Sequence, residues 1–173
     1  TAAKERGKWG VGVDVDQYNT LPNEKDILIT SCMKRLDNAV FNVVSRLVSR
    51  YKMETSPNWR WFEPHLTYCN ARLCQALFAA YSATENKSYL EVAEESLDWL
   101  IQEQFSEGVL QPVGTKGWHH KGEKKAQFDQ QPIEASCMVE AAVSAMKCTK
   151  NGKYKDLALK AFSWYHGSNI KRV

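Results

Sequence analysis

The chain has 173 residues, 43% of them hydrophobic and 25% charged, which suits one compact globular domain. Lysine and arginine number 23 against 20 acidic residues, a net charge of +3 spread along the chain, so no nucleic-acid partner is expected. No apolar run approaches the ~18–20 residues a membrane span needs, and the polar start Thr1-Ala2-Ala3-Lys4-Glu5-Arg6 lacks the apolar core of a secretory signal.

The first periodic segment lies at 26–51, where Ile29, Met33, Leu36, Val40, Val43, Leu47 and Tyr51 step by three and four. That spacing predicts one long helix with this stripe packed inward. Pro57 follows its end. A second helix is expected from about Thr67 to Thr84, with Leu66, Asn70, Leu73, Leu77 and Tyr81 on one face. Ser88 with Glu91 reads as a capping box opening a third, whose stripe is Leu90, Ala93, Leu97, Leu100 and Ile101. A short hairpin is expected around Gly108-Val109-Leu110. Pro132 suits the first turn of a fourth helix, because its missing N–H would have no partner there anyway. A fifth follows Asn151-Gly152, with Tyr154, Leu157, Ala161, Phe162 and Tyr165 inward. The class is all-α.

Two of these segments repeat. Tyr89 to Trp99 (YLEVAEESLDW) and Tyr154 to Trp164 (YKDLALKAFSW) align at an offset of 65, with Tyr, Ala and Trp coincident. The turns Thr84-Glu85-Asn86-Lys87 and Thr149-Lys150-Asn151-Gly152 also correspond. The unit is a helical hairpin: an inner small-residue helix, a turn, and an outer amphipathic helix. Residues 67–104 form one hairpin and 132–167 the next, separated by a long loop at 105–131. With the first helix this makes a single helical domain over 1–173, part of an (α/α) toroid or a short open array. A loop this long usually has a job.

Five cysteines, Cys32, Cys69, Cys74, Cys137 and Cys148, form no C-x-x-C pair and no zinc-ligand spacing. They read as reduced thiols in a cytoplasmic protein, with no metal and no other cofactor. Six Trp, seven Tyr and six Phe fit either a dense core or a sugar-stacking surface. The loops entering the inner helices collect the unusual residues: Trp59, Trp61, Glu63, Tyr68, Asn70 and Arg72 in one, Trp118, His119, Asp129, Gln130, Gln131 and Glu134 in the other. Because both loops enter equivalent positions of the repeat, they are expected at the same end of the array. Aromatic planes beside carboxylates and amides are suited to sugar rings.

The stretches Trp59–Leu73 (WRWFEPHLTYCNARL), Gly108–Trp118 and Phe128–Ala135 (FDQQPIEA) resemble the α-helical domain fused after, or encoded near, bacterial and archaeal glycosyltransferases. That domain is similar in outline to the six-hairpin, (α/α)-toroid glycosidases. The resemblance implies a carbohydrate ligand and a helical fold, with a glycosyltransferase or a further domain as partner. A second copy of the chain is also expected to cover the apolar edge where a ring would continue.

Glycoside hydrolysis needs two carboxylates flanking the bond. Glu63 and Asp129, each just before an inner helix and 66 residues apart, are the expected catalytic pair. Trp59, Trp61, Tyr68, Asn70, Arg72, Trp118, His119, Gln130, Gln131 and Glu134 are the expected substrate-binding set. Each also has a plainer role: Glu63 and Asp129 stand where helix caps stand, Arg72 can pair with Glu63 or Glu134, and Lys121, Lys124 and Lys125 read as a solvated rim. The alternative to an enzyme is a non-catalytic helical module that supports or docks to a glycosyltransferase.

Overall fold

The computed structural model describes residues 24–172. The chain falls into two compact units, Thr1–Phe41 and Asn42–Val173, and the division lies inside the first helix. That helix, α1, runs Glu24–Glu54. The side chains of Ile29, Met33 and Leu36, three members of the expected stripe, lie outside the described residues. In the first unit Ile27, Leu28, Val40 and Phe41 are exposed.

In the second unit the inward face of α1 is Val44, Val48 and Tyr51, while Val43 is 67% exposed. The expected stripe therefore holds at Leu47 and Tyr51 and is corrected at Val40 and Val43, which are exposed. Two apolar ladders run side by side here, 43/47 and 44/48. The core selects the second because the Tyr51 ring meets Phe62, with centroids 5.2 Å apart. Leu47 is partly buried beside it.

The helices that follow are α2 (Ala71–Thr84), α3 (Lys87–Gln104), α4 (Pro132–Thr149) and α5 (Lys153–Ser163). Between them lie four two-residue strands: β1 (His65–Leu66), β2 (Phe105–Ser106), β3 (Val109–Leu110) and β4 (His119–His120). β2 and β3 form the expected hairpin, Phe105 opposite Leu110 and Ser106 opposite Val109. The class is all-α. α2 packs on both α3 and α4, and α5 packs on α4, so α2 and α4 are the inner helices and α3 and α5 the outer ones. Their composition explains the division. Ala135, Ala141, Ala142 and Ala145 on α4, with Ala71 and Ala80 on α2, are buried and let the inner backbones approach closely.

The two hairpin turns are copies of each other in hydrogen bonding. Thr84 and Thr149 each donate a hydroxyl to the carbonyl four residues back, Ala80 and Ala145, at 2.8 Å. Glu85 and Lys150 take the left-handed conformation at φ 56° and 58°. Asn86 then accepts from the Ser88 N–H and Asn151 from the Lys153 N–H, each at 3.0 Å. The third helix is accordingly capped by Asn86, not opened by a Ser88/Glu91 box. An Asn side chain satisfies an orphan first-turn N–H as well as Ser does, and here it sits two residues earlier.

On α5, Tyr154, Leu157 and Ala161 are buried, whereas Phe162 and Tyr165 are exposed, contrary to the inward assignment. After Ser163 the chain tightens into a 3₁₀ turn, Trp164–His166, which takes Tyr165 out of the helical phase. Its hydroxyl donates to the Pro132 carbonyl at 2.6 Å instead.

Candidate functional site

The loops entering α2 and α4 are joined directly. β1 pairs antiparallel with β4, His65 opposite His120 and Leu66 opposite His119. The Lys121 N–H donates to the Pro64 carbonyl at 2.9 Å. Two lysines expected on a solvated rim instead cap helix ends: Lys121 Nζ donates to the Glu54 carbonyl at the end of α1, and Lys125 Nζ to the Glu103 carbonyl near the end of α3 and to Gln111. The last carbonyls of a helix have no intrahelical donors and sit at the negative end of its dipole, so an ammonium is drawn there. Burial lowers the Lys125 pKa, while the Glu103 carboxylate acts in the opposite sense.

Trp59 and Trp61 do not reach a surface. They are 3% and 0% exposed, and both rings meet Trp99, at 4.8 and 5.9 Å. Trp59 Nε1 donates to the Glu63 carbonyl at 2.7 Å, which fixes the turn before β1. The expectation that these two indoles stack on substrate is corrected by their place in the core; large aromatics gain most from burial. His119 is buried against Trp59, with ring centroids 5.3 Å apart and Nδ1 3.6 Å from a Glu103 oxygen. Burial holds its pKa below the usual histidine value, against the pull of Glu103.

Beneath the loops lies a polar cluster that links the two inner helices. Glu134, in the first turn of α4, is 2% exposed. Its Oε2 accepts from Asn70 Nδ2 at 2.9 Å and from Gln104 Nε2 at 3.5 Å. Its Oε1 has no donor in good hydrogen-bond geometry, although the Cys69 and Asn70 backbone N–H groups are directed at the carboxylate, and the Gln104 Oε1 has no donor. Burial pushes the Glu134 carboxyl above the usual range, opposed by the Asn70 side chain, the Cys69 N–H, the Gln104 side chain and the Asn70 N–H. Asn70 also folds back on its own loop, accepting from the Thr67 N–H at 3.0 Å and donating to the Thr67 carbonyl at 2.9 Å. Asn70 and Glu134 are thus brought together, but as a buried strut. Arg72 pairs with neither Glu63 nor Glu134; it bonds Glu140 across the inner-helix seam, in the open, and also Gln75. Burial pushes the Cys74 thiol up to about 12 and the Cys137 thiol to about 11, so both are protonated, core-like side chains at neutral pH.

The long loop folds on itself before α4. The Gly114, Thr115 and Lys116 N–H groups donate to Ala126, Asp129 and Phe128 carbonyls at 2.7, 3.0 and 2.9 Å. Gly114 is required by proximity: a Cβ there would lie 2.3 Å from the Phe128 nitrogen. Gly117 at φ +123° turns the chain so that Trp118 comes beside Tyr68, with ring centroids 6.4 Å apart. Tyr68 is exposed and Trp118 half-buried.

A cavity of about 380 Å³ opens where this loop meets the segment after α5. Phe128, Asp129 and Gln130 line one side, and Trp164, Tyr165, Asn169, Ile170 and Lys171 the other. The Asp129 carboxylate is 69% exposed and 3.3 Å from Lys116 Nζ. It does not cap α4, whose N-cap is Gln131, without a side-chain bond. Gln130 Nε2 and Trp164 Nε1 are buried donors with no acceptor. Of the expected site residues the cavity holds Asp129 and Gln130. Among the described residues no hydrogen bond or ion pair joins Asp129 to Glu63.

Sequence reasoning missed Trp164, Tyr165 and Lys171 as pocket residues. Trp164 repeats the core position of Trp99, and that repetition masked its role: Trp99 is 7% exposed, whereas Trp164 is only half-buried. Among the described residues no group of three or more His, Cys, Asp or Glu side chains is arranged to hold a metal ion, and no helix is long and apolar enough to cross a membrane.

Stacked helical hairpins with long loops gathered at one end give an all-α, helical-hairpin architecture, and the family match makes its class a six-hairpin-glycosidase-like, carbohydrate-processing domain. The family model of the β-L-arabinofuranosidase GH127 catalytic domain matches residues 43–158, and the chain belongs to that family. The match begins one residue inside the second compact unit. Neither the curated proteins nor the solved structures yield a match.

Proposed function

We propose that the domain binds a glycan in the cavity before α4, and that Asp129 is the carboxylate that acts on it. The observation carrying this reading is the joint lining of one 380 Å³ space by Asp129, Gln130, Phe128, Trp164 and Tyr165. Aromatic faces take the apolar CH side of a sugar, while carboxylate and amide groups bond its hydroxyls. Tyr68 and Trp118 extend the aromatic surface at the same loop end. For hydrolysis we propose Glu63, which lies outside the cavity lining, as the second carboxylate beside Asp129. Asn70, Glu134 and His119 position these loops, and Arg72 and Gln131 flank them.

A second reading has its own support. Asp129 is the one carboxylate among the residues lining the cavity, which suits a non-catalytic module that holds a glycan beside a partner enzyme such as a glycosyltransferase.

Oligosaccharide binding by calorimetry, alongside hydrolysis of aryl glycosides including the β-L-arabinofuranoside, tests both. Trp164→Ala should abolish binding while the fold is retained. Asp129→Asn should cost turnover by 10²-fold or more with binding kept if the domain is an enzyme. If no sugar binds the wild type, the cavity reading fails.

A further inference from the structure

We infer that Cys69 and Cys137 form a dithiol site that small-molecule disulfides oxidise, and that the resulting bridge fastens the loop before α2 to α4. The inference concerns a modification site and stands apart from the glycan reading.

The register of the inner-helix seam carries it. Two pairs of side chains lace that seam on either side of the cysteines. Asn70 Nδ2 donates to Glu134 Oε2 at 2.9 Å, and Arg72 bonds Glu140. Cys69 stands immediately before Asn70, and Cys137 lies between Glu134 and Glu140, three residues from each and so on the same side of α4. The Cys69 backbone is pinned as well. Its N–H is directed at the Glu134 carboxylate, its carbonyl accepts from the Arg72 N–H at 3.0 Å, and it holds the left-handed conformation at φ 55°. With both elements held in this register, the Cys69 thiol meets the Cys137 thiol in a hydrogen-bonding contact, and the Arg72 guanidinium is a further partner of Cys137. Cys74 and Cys148 each face a serine hydroxyl instead, Ser96 at 3.3 Å and Ser82 at 3.2 Å.

Exposure orders the chemistry. Cys69 is half-buried, whereas Cys137 is 0% exposed, so a glutathione-type disulfide, R–S–S–R, meets Cys69 first. The Cys69 thiolate attacks one sulfur of the reagent. A Cys69–S–R bond forms, the reagent's S–S bond breaks, and one thiolate leaves. Cys137 then gives its proton to that thiolate and attacks Cys69 Sγ, forming the Cys69–Cys137 bond and expelling the second thiolate, which takes up the proton Cys69 released. Two protein thiols are oxidised by two electrons, and one small disulfide is reduced to two thiols. The second step is intramolecular. Burial keeps the proton on Cys137, and the Arg72 guanidinium works against that by favouring the thiolate. Tyr68, exposed beside Trp118, directly precedes Cys69, so the bridge ties the base of that aromatic pair to α4.

The experiment treats the reduced full chain with glutathione disulfide, blocks the remaining thiols with N-ethylmaleimide and maps the cysteines by peptide mass spectrometry. The Cys69–Cys137 bridge should outnumber the Cys69–glutathione adduct by about tenfold or more, and dithiothreitol should reverse it. Amide hydrogen exchange at residues 67–72 should slow by about tenfold or more in the bridged form. Cys137→Ala keeps a small apolar side chain in the seam and should halt the reaction at the Cys69–glutathione adduct. Cys69→Ser should give neither product. The wild-type map decides the matter even where a variant folds poorly.

A lasting Cys69 adduct without the bridge in the wild type would overturn the inference. Bridges joining either cysteine chiefly to Cys32, Cys74 or Cys148 would overturn it too. Unchanged exchange at 67–72 in the bridged protein would overturn the fastening of the loop.

Discussion

Replacing Glu134 by Gln should stabilise the domain at pH 8, although it removes a charge from the best-connected polar cluster in the structure. The cluster has two acceptors without a donor in good geometry, Glu134 Oε1 and Gln104 Oε1, on side chains already in contact through Gln104 Nε2 and Glu134 Oε2 at 3.5 Å. A Gln at 134 keeps one oxygen to accept from Asn70 and from the Cys69 N–H directed at this group, and turns its amide N–H toward the unpartnered Gln104 oxygen. Satisfying a buried unpaired polar atom is worth about 1–3 kcal/mol, and that is the gain expected at pH 8.

The pH dependence follows from the direction of the shift. Burial raises the folded-state pKa of Glu134 above the ordinary 4.5, so the folded state holds the proton more tightly than the unfolded chain. Its contribution to stability is fully present below about 4.5 and is lost as pH rises through the raised value. Urea unfolding of wild type and Glu134→Gln between pH 4.5 and 8 reads this directly: the two curves should converge at low pH and separate as pH rises. Destabilisation of the variant by more than about 1 kcal/mol at pH 8, or an unchanged pH slope, would refute the reasoning.

His119 acts with the opposite sign, because burial lowers its folded-state pKa. Its contribution is present above about 6.5 and lost as pH falls below that, so His119→Gln should flatten the acid limb of the same unfolding series, and an unchanged limb would count against its burial. Gly114→Ala places a methyl 2.3 Å from the Phe128 nitrogen and must displace the Phe128–Gln130 wall of the cavity; about 1–3 kcal/mol of stability should go, and sugar affinity with it, by denaturation and calorimetry. Lys125→Met keeps the aliphatic stem but leaves the Glu103 and Gln111 carbonyls without their donor, so a loss of about 1.5–3 kcal/mol is expected in urea unfolding; a neutral result would mean water replaces the ammonium fully.

The repeat was legible before any coordinate. Thr-x-Asn at 84–86 and again at 149–151 fixes the same left-handed turn and the same cap, because those hydrogen bonds lie within a few residues of each other. Alanine on α2 and α4, and the wider polar and apolar spacing of α3 and α5, likewise separate inner from outer helices by side-chain size alone. The hairpin at Gly108 and the closeness of the two long loops follow from the same local chemistry and the repeat. These features need no distant partner to specify them.

What lay beyond the sequence was which of two equivalent surfaces meets the core. Val43 and Val44 differ by about 100° on one helix, and only the position of Phe62 decides between them. Trp59 and Trp61 looked like sugar platforms because a tryptophan in a polar loop is chemically ambiguous; the Trp99 ring resolves it by drawing both inward. Trp164 carries the same repeat signature as Trp99. Its cavity exists because the chain leaves helical geometry at 164 and lays Lys171 over Phe128, a contact across 43 residues. Glu134 shows the division most sharply. A carboxylate in a first helical turn is favoured locally by the helix dipole, but its proton affinity is set by the burial that Asn70 and Gln104, 64 and 30 residues away, impose on it. Short-range hydrogen bonding and side-chain size are encoded residue by residue, whereas desolvation belongs to the packed chain.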